Sequence, residues 1–97
     1  MHVGVLRVTL HLPESGSLKA KRQVVGSLLQ QVRNQFAVSA AEVGEGDRWQ
    51  LAELGFVCVS NDGRHADEVL ARVLRFIESR TVGGMLSEVR TEVLVVK

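Results

Sequence analysis

Residues that usually announce chemistry are scarce in this chain. Its 97 residues include one cysteine, one proline, one tryptophan, three phenylalanines and no tyrosine. A lone Cys58 excludes an internal disulfide and offers no pair of thiolates at metal-ligand spacing. It lies in the apolar run Gly55-Phe56-Val57-Cys58-Val59, where a free thiol behaves as a small buried hydrophobe in a reducing compartment. His2, His11 and His65 are scattered, so neither a metal site nor a cofactor is expected. No apolar run approaches the ~20 residues of a membrane span. No charged-then-apolar leader opens the chain. A cytoplasmic protein without a membrane partner is the expectation.

What is present is enough for a folded domain. The hydrophobic fraction is 45% and the charged fraction 24%, which sets the chain apart from disordered sequences. One domain over residues 1–97 is expected, small enough that oligomerisation would add to its stability. The formal charge is only +1, but it is uneven: residues 1–41 carry +4 and residues 42–97 carry −3. That balance does not describe a strong nonspecific nucleic-acid binder, yet it allows a local basic patch.

Taken in order, the chain alternates between two periods. In residues 2–12, Leu6, Val8, Leu10 and Leu12 share one side; Val3, Val5, Arg7, Thr9 and His11 share the other. That is a strand with one dry face and one mixed face. Pro13-Glu14-Ser15-Gly16 ends it. Ser17 is a suitable N-cap for a helix to about Asn34, with Leu18, Val24, Val25, Leu28, Leu29 and Val32 on one arc. Phe36 to Val43 reads as a second strand and Leu51 to Ser60 as a third, in which Ala52, Leu54, Phe56 and Cys58 face in. Asn61 and Asp62 can cap a second helix to about Arg80. Val82-Gly83-Gly84 breaks it, and Leu86 to Val96 is the last strand. Val89, Thr91, Val93 and Val95 lie on one side of that strand; Glu88, Arg90, Glu92, Leu94 and Val96 lie on the other. The order β-α-β-β-α-β defines an α+β, ferredoxin-like arrangement, a four-stranded antiparallel sheet with two helices on one face. Right-handed crossovers place strands one and three centrally.

Two candidate surfaces follow. Lys19, Lys21 and Arg22 put three cations into four residues at a helix end that is already electropositive. Each costs a few tenths to about 1 kcal/mol there unless partnered. The topology brings Arg48, Trp49 and Arg80 to the same end, with Glu42 and Asp47 nearby. An anion or RNA site would use free helix N–H groups, these cations and a tryptophan able to stack. Pairing with Glu14, Glu42, Glu45 or Asp47 is the bland alternative, and Trp49 suits a core edge better than a partner anchor. Lys21 falls within the apolar arc, so its stem should run along the core with its ammonium emerging at the sheet end. The second surface is the sheet face that no helix covers. There Val5, Arg7, Thr9, Val57, Arg90, Glu92 and Leu94 mix opposed charges with aliphatics, a pattern suited to a protein interface or a self-complementary dimer. The aromatic stacking pair of RRM sheets is missing. Ser60-Asn61-Asp62 and His65 invite an acid–base reading, but nothing supplies a nucleophile and an orienting partner, and capping accounts for them.

The stretches Ser17-Leu18-Lys19-Ala20-Lys21-Arg22, Ala41-Glu42-Val43, Trp49-Gln50, Gly55, Val59-Ser60-Asn61-Asp62 and Phe76-Ile77-Glu78-Ser79 together resemble the YlxP-like family. These are small bacterial proteins grouped as a domain of unknown function. The resemblance spans strand one to the end of the second helix. It implies a ferredoxin-like fold in a cytoplasmic bacterial protein. Genes of the family often neighbour those of translation initiation and ribosome maturation factors, which implies RNA or ribosome association. It implies no catalytic residue. The turn Gly44-Glu45-Gly46-Asp47-Arg48 is richer in glycine than the family pattern. The leading expectation is thus a non-enzymatic module that binds RNA or a ribosomal particle through its basic end. The alternative is a dimeric protein-interaction or anion-responsive module that uses the open sheet.

Overall fold

Alternation along the strands and the 3.6-residue period of the helices leave one apolar face on each element, and the fold is the way those faces meet. The computed structural model describes residues 1–12, 16–44, 50–80 and 85–97. Its elements are β1 (His2–His11), α1 (Leu18–Gln35), β2 (Ser39–Glu42), β3 (Leu51–Ser60), α2 (Gly63–Arg80) and β4 (Leu86–Val95). The strands form one sheet in the order β2-β3-β1-β4, every neighbouring pair antiparallel. This is the ferredoxin-like fold, with β1 and β3 at the centre.

The core lies between that sheet and the helices. Across β1 and β3, Leu6 is opposite Phe56, Val8 opposite Leu54 and Leu10 opposite Ala52; all six are buried. From the helices come Val25, Leu28, Leu29 and Val32 of α1, and Ala66, Leu70, Val73 and Ile77 of α2. Gly4 sets how closely α2 approaches. A Cβ there would lie 3.0 Å from both Cys58 Sγ and Leu70 Cδ1, so a larger residue would press on the side chains of β3 and α2 together. Cys58 is buried, with its thiol 3.6 Å from the Ala66 carbonyl oxygen.

Both helices begin on side-chain caps. Ser17 is extended, at φ −163° and ψ 162°, and its hydroxyl accepts from the Ala20 N–H at 3.1 Å. Asp62 Oδ1 accepts from the Arg64 N–H at 3.0 Å, while the Asp62 carbonyl accepts from Ala66 N–H at 3.1 Å. Each cap satisfies a helix donor that would otherwise lack a partner.

Three boundaries or faces differ from the sequence pattern. β2 begins at Ser39 rather than Phe36, because the Phe36 N–H still donates to the Val32 carbonyl at 2.9 Å and closes α1. Arg33 Nη2 then donates to the Ala40 carbonyl at 2.6 Å and ties the end of α1 to the short strand. Val24 belongs to the apolar arc of α1 yet is 49% exposed. It sits at the arc's margin with Gln23 and Ser27, along an outward groove. Finally, Val89, Thr91 and Val93 of β4 register with Val8, Leu6 and Gly4 on the helix side of the sheet. Val89 is nonetheless 39% and Val95 65% exposed. No residue of β4 is fully buried.

The placement of α1 predicts two unequal substitutions on adjacent parts of its apolar arc. Leu28→Ala removes a side chain only 5% exposed and should cost about 2–5 kcal/mol. Val24→Ala should change stability by no more than about 0.5 kcal/mol, as surface changes do. Urea unfolding followed by circular dichroism measures both.

Candidate functional site

The first turn of α1 contains no acidic residue, so its cations must find counter-charges elsewhere or face solvent. They divide. Lys19 and Arg22 are exposed. Lys21 turns the other way: it is 1% exposed, and its Nζ lies 2.9 Å from Glu42 Oε2 on β2. The ammonium therefore does not emerge at the sheet end, as its position in the arc suggested. Long aliphatic stems carry lysine charges across apolar surface; this one carries the charge onto a strand carboxylate. Lys21 is thereby withdrawn from any set of side chains available to an RNA phosphate.

Of the remaining basic-end residues, Arg48 and Trp49 lie outside the described residues. Arg80 ends α2, and its guanidinium carbon is 4.8 Å from the centre of the Phe76 ring, a cation–π distance. Phe76 in turn meets Phe36 edge to face, with ring centres 5.7 Å apart. Arg80 also borders a groove of about 410 Å³ with Gln23, Val24 and Gln31 of α1. The fold thus brings Arg80 beside α1, although already stacked on an aromatic ring.

The open face of the sheet is more organised. Arg7 and Arg90 are direct cross-strand partners on β1 and β4. Like charges so placed repel, and each arginine has an acid to offset this. Arg7 pairs with Glu53 of β3, and Arg90 Nε lies 2.8 Å from Glu88 Oε1. With Thr9 these four side chains line a cleft of about 190 Å³. The charged groups are well exposed, so each pair adds at most about 1 kcal/mol to stability; they organise charge on the surface more than they hold the fold. Beyond the cleft the same face turns aliphatic. Val57, Val59, Leu94 and Val96 are 38%, 67%, 43% and 43% exposed. Glu88 is missing from the sheet-face set drawn from sequence, although strand parity places it beside Arg90. The exposure of Val89 and Val95 on the opposite side of β4 had no sequence signal, since alternation assigns a side but not its cover.

Asp62 and His65 do not converge. The Asp62 carboxylate caps α2, its N–H donates to Ser60 Oγ at 3.0 Å, and His65 is exposed on the helix. Among the described residues no cluster of three or more His, Cys, Asp or Glu side chains is placed to hold a metal ion. No described helix is long and apolar enough to cross a membrane.

The fold and these two surfaces define a small ferredoxin-like protein with an uncovered sheet. The chain belongs to a family described as proteins of unknown function, DUF503, whose model matches residues 3–90. It is 42% identical over 66 residues to the uncharacterized protein YlxP of Bacillus subtilis (strain 168), covering 68% of this chain and 72% of that protein. Among solved structures, a de novo designed protein with a ferredoxin fold, LFR1 1, superposes with a TM-score of 0.61 at 10% identity, covering 99% of this chain and 87% of the design. Rv0793 from Mycobacterium tuberculosis gives 0.52 at 19% identity, covering 100% of this chain and 96% of that one. A variant of SnoaB, a cofactor-independent oxygenase from Streptomyces nogalater, gives 0.51 at 12% identity, covering 99% and 92%. At these identities the likeness is one of fold.

The Lys21–Glu42 pair predicts a stability effect that separates it from the exposed cations. Glu42→Gln removes the counter-charge of a buried ammonium and should cost about 3 kcal/mol. The double substitution Lys21→Met with Glu42→Gln should recover most of that loss. Lys19→Ala and Arg22→Ala should each stay within about 0.5 kcal/mol. Denaturant midpoints at unchanged m-value test all four.

Proposed function

We propose that the protein is a non-enzymatic, cytoplasmic binding module that self-associates through its sheet. One observation carries this reading: β4 is an edge strand of ten residues, Leu86–Val95, with none fully buried. A long edge strand with exposed aliphatics is a template for pairing, and proteins that stay monomeric normally blunt it. The open face supports the same reading. The alternation of Arg7, Glu53, Arg90 and Glu88, beside Val5, Val57 and Leu94 and with Glu92 on the same face, is a pattern that a two-fold axis can make self-complementary. A second copy of the chain is thus the partner that the sheet suits best.

A second reading, contact with RNA or a ribosomal particle, rests on the exposed first turn of α1. Lys19 and Arg22 make no ion pair among the described residues, and they stand at a helix N-terminus, whose dipole favours anions. The gene neighbourhood typical of YlxP-like proteins points the same way. The two readings are compatible, because a dimer would present two such turns.

Sedimentation equilibrium over a concentration series should find a reversible monomer–dimer equilibrium in the wild-type protein. A strict monomer at the highest soluble concentration would overturn self-association. For the second reading, co-sedimentation with purified ribosomal subunits should weaken as salt rises. The double substitution Lys19→Ala with Arg22→Ala should reduce the slope of log affinity against log salt by roughly 1 to 2. An unchanged slope would sink it.

A further inference from the structure

Resting on the self-association reading, we infer its geometry: a second copy adds to the free edge of β4, antiparallel, with Thr91 opposite its own symmetry mate. The backbone of β4 fixes what that edge offers. The Val96 N–H donates to the Met1 carbonyl at 2.7 Å, and the Met1 ammonium donates back to the Val96 carbonyl at 2.9 Å. This is the two-way exchange of a hydrogen-bonded antiparallel pair. Alternate residues of a strand direct their backbone groups to alternate sides. Leu94, Glu92, Arg90 and Glu88 therefore bond towards β1, while Val95, Val93, Thr91 and Val89 present N–H and C=O to the open edge. Among the described residues no strand lies beyond them.

A two-fold mate must set outward-bonding residues against outward-bonding residues. That restricts the register to whole-residue positions of the axis, and side-chain charge then chooses among them. With the axis at Arg90, Arg90 faces Arg90 and Glu88 faces Glu92, so every charged pair repels. With the axis at Glu92, Glu92 faces itself and Arg90 faces Leu94. With the axis at Val89, Arg90 faces Glu88, but the pairing runs into the register shift beside Ser87, where β4 departs from regular pairing with β1. With the axis at Thr91, Arg90 faces Glu92 on both sides of the axis and Val89 faces Val93 on both sides. Opposite charges and aliphatic pairs are the favourable cross-strand combinations. The paired stretch, Glu88 to Leu94, stops short of the irregularity. Val89, 39% exposed on the helix side, gains a neighbour that its own chain does not provide. The two sheets become one of twice the width, and the two open faces join into one continuous platform.

The test is a cysteine scan of the edge in the dimer. Across a hydrogen-bonded antiparallel pair the Cα atoms are about 5.5 Å apart, within the range that a disulfide spans. Thr91→Cys, Val89→Cys and Arg90→Cys would be oxidised mildly and run on non-reducing gels, with sedimentation equilibrium of each reduced protein alongside. Wild-type protein, whose only thiol is buried, is the control and should give no covalent dimer. The expected result is a covalent dimer from Thr91→Cys in preference to the other two. Preferential cross-linking at Val89 or Arg90 would overturn the register. A reversible dimer that cross-links at none of the three would overturn the edge geometry while self-association stands, and a strict monomer would remove both. Thr91→Pro supplies an independent arm, since it deletes an outward N–H without touching the ladder to β1. Loss of the dimer with an unchanged circular dichroism spectrum is expected; a Thr91→Pro protein that remains dimeric would overturn the edge geometry.

Discussion

A buried ammonium needs its counter-charge within reach, and in this protein that requirement links the start of α1 to the far edge of the sheet. Lys21, 1% exposed, meets Glu42 on β2 at 2.9 Å. β2 is only four residues long, Ser39–Glu42, and has a single strand neighbour. It contributes little apolar burial of its own. The ion pair at one end and the Arg33 bond to the Ala40 carbonyl at the other hold this short strand under α1. Replacement of such a pair by apolar side chains is often neutral, whereas loss of one partner is costly. The pair therefore acts more as a constraint on where α1 sits than as a net source of stability. It also settles which cations of the first turn remain available: Lys19 and Arg22 do, and Lys21 does not.

The other edge is built differently. β4 is as long as β1 and β3, and its helix-side residues are uncharged, with Val89, Val93 and Val95 aliphatic. α2 carries Ala66, Leu70, Val73 and Ile77 into the core, with Gly4 allowing it close to β1. Val89 and Val95 of β4 nonetheless stay 39% and 65% exposed. The sheet is thus asymmetric: one edge is short and fastened by charge, and the other is long, aliphatic and open.

Most of the fold was legible because it depends on period. Leu6, Val8, Leu10 and Leu12, then Ala52, Leu54, Phe56 and Cys58, mark the inner faces by parity alone, and Ser17 and Asp62 mark the helix starts. Strand order followed from connection handedness. What parity cannot express is coverage, and Val24 and Val89 show this. Each satisfies the apolar pattern, and each is nonetheless exposed, at 49% and 39%. The candidate surfaces were legible in part. The helical wheel set Lys21 apart from Lys19 and Arg22, but only the position of β2 shows that its charge ends on Glu42. The sheet-face residues Arg7 and Arg90 were assigned to one side; that they stand directly opposite each other depends on the β1–β4 register, which no local pattern encodes.

That register bears on how the open edge is managed. Edge strands that avoid pairing use prolines, charged side chains, inward-pointing charges, bulges or extreme brevity. β4 has no proline, its helix-side residues are uncharged, and its single irregularity lies at one end, beside Ser87. Its charges all sit on the open face, at Glu88, Arg90 and Glu92. Charges of one sign there would repel a second copy in any register. An acid–base–acid alternation does otherwise: it repels when the axis falls on one of the charged residues, Arg90 or Glu92, and attracts when the axis falls on Thr91 between them. In the proposed dimer the same three side chains would select against slipped pairings. An edge that merely needed protection would not require that alternation; the pairing proposed for β4, in one register, would.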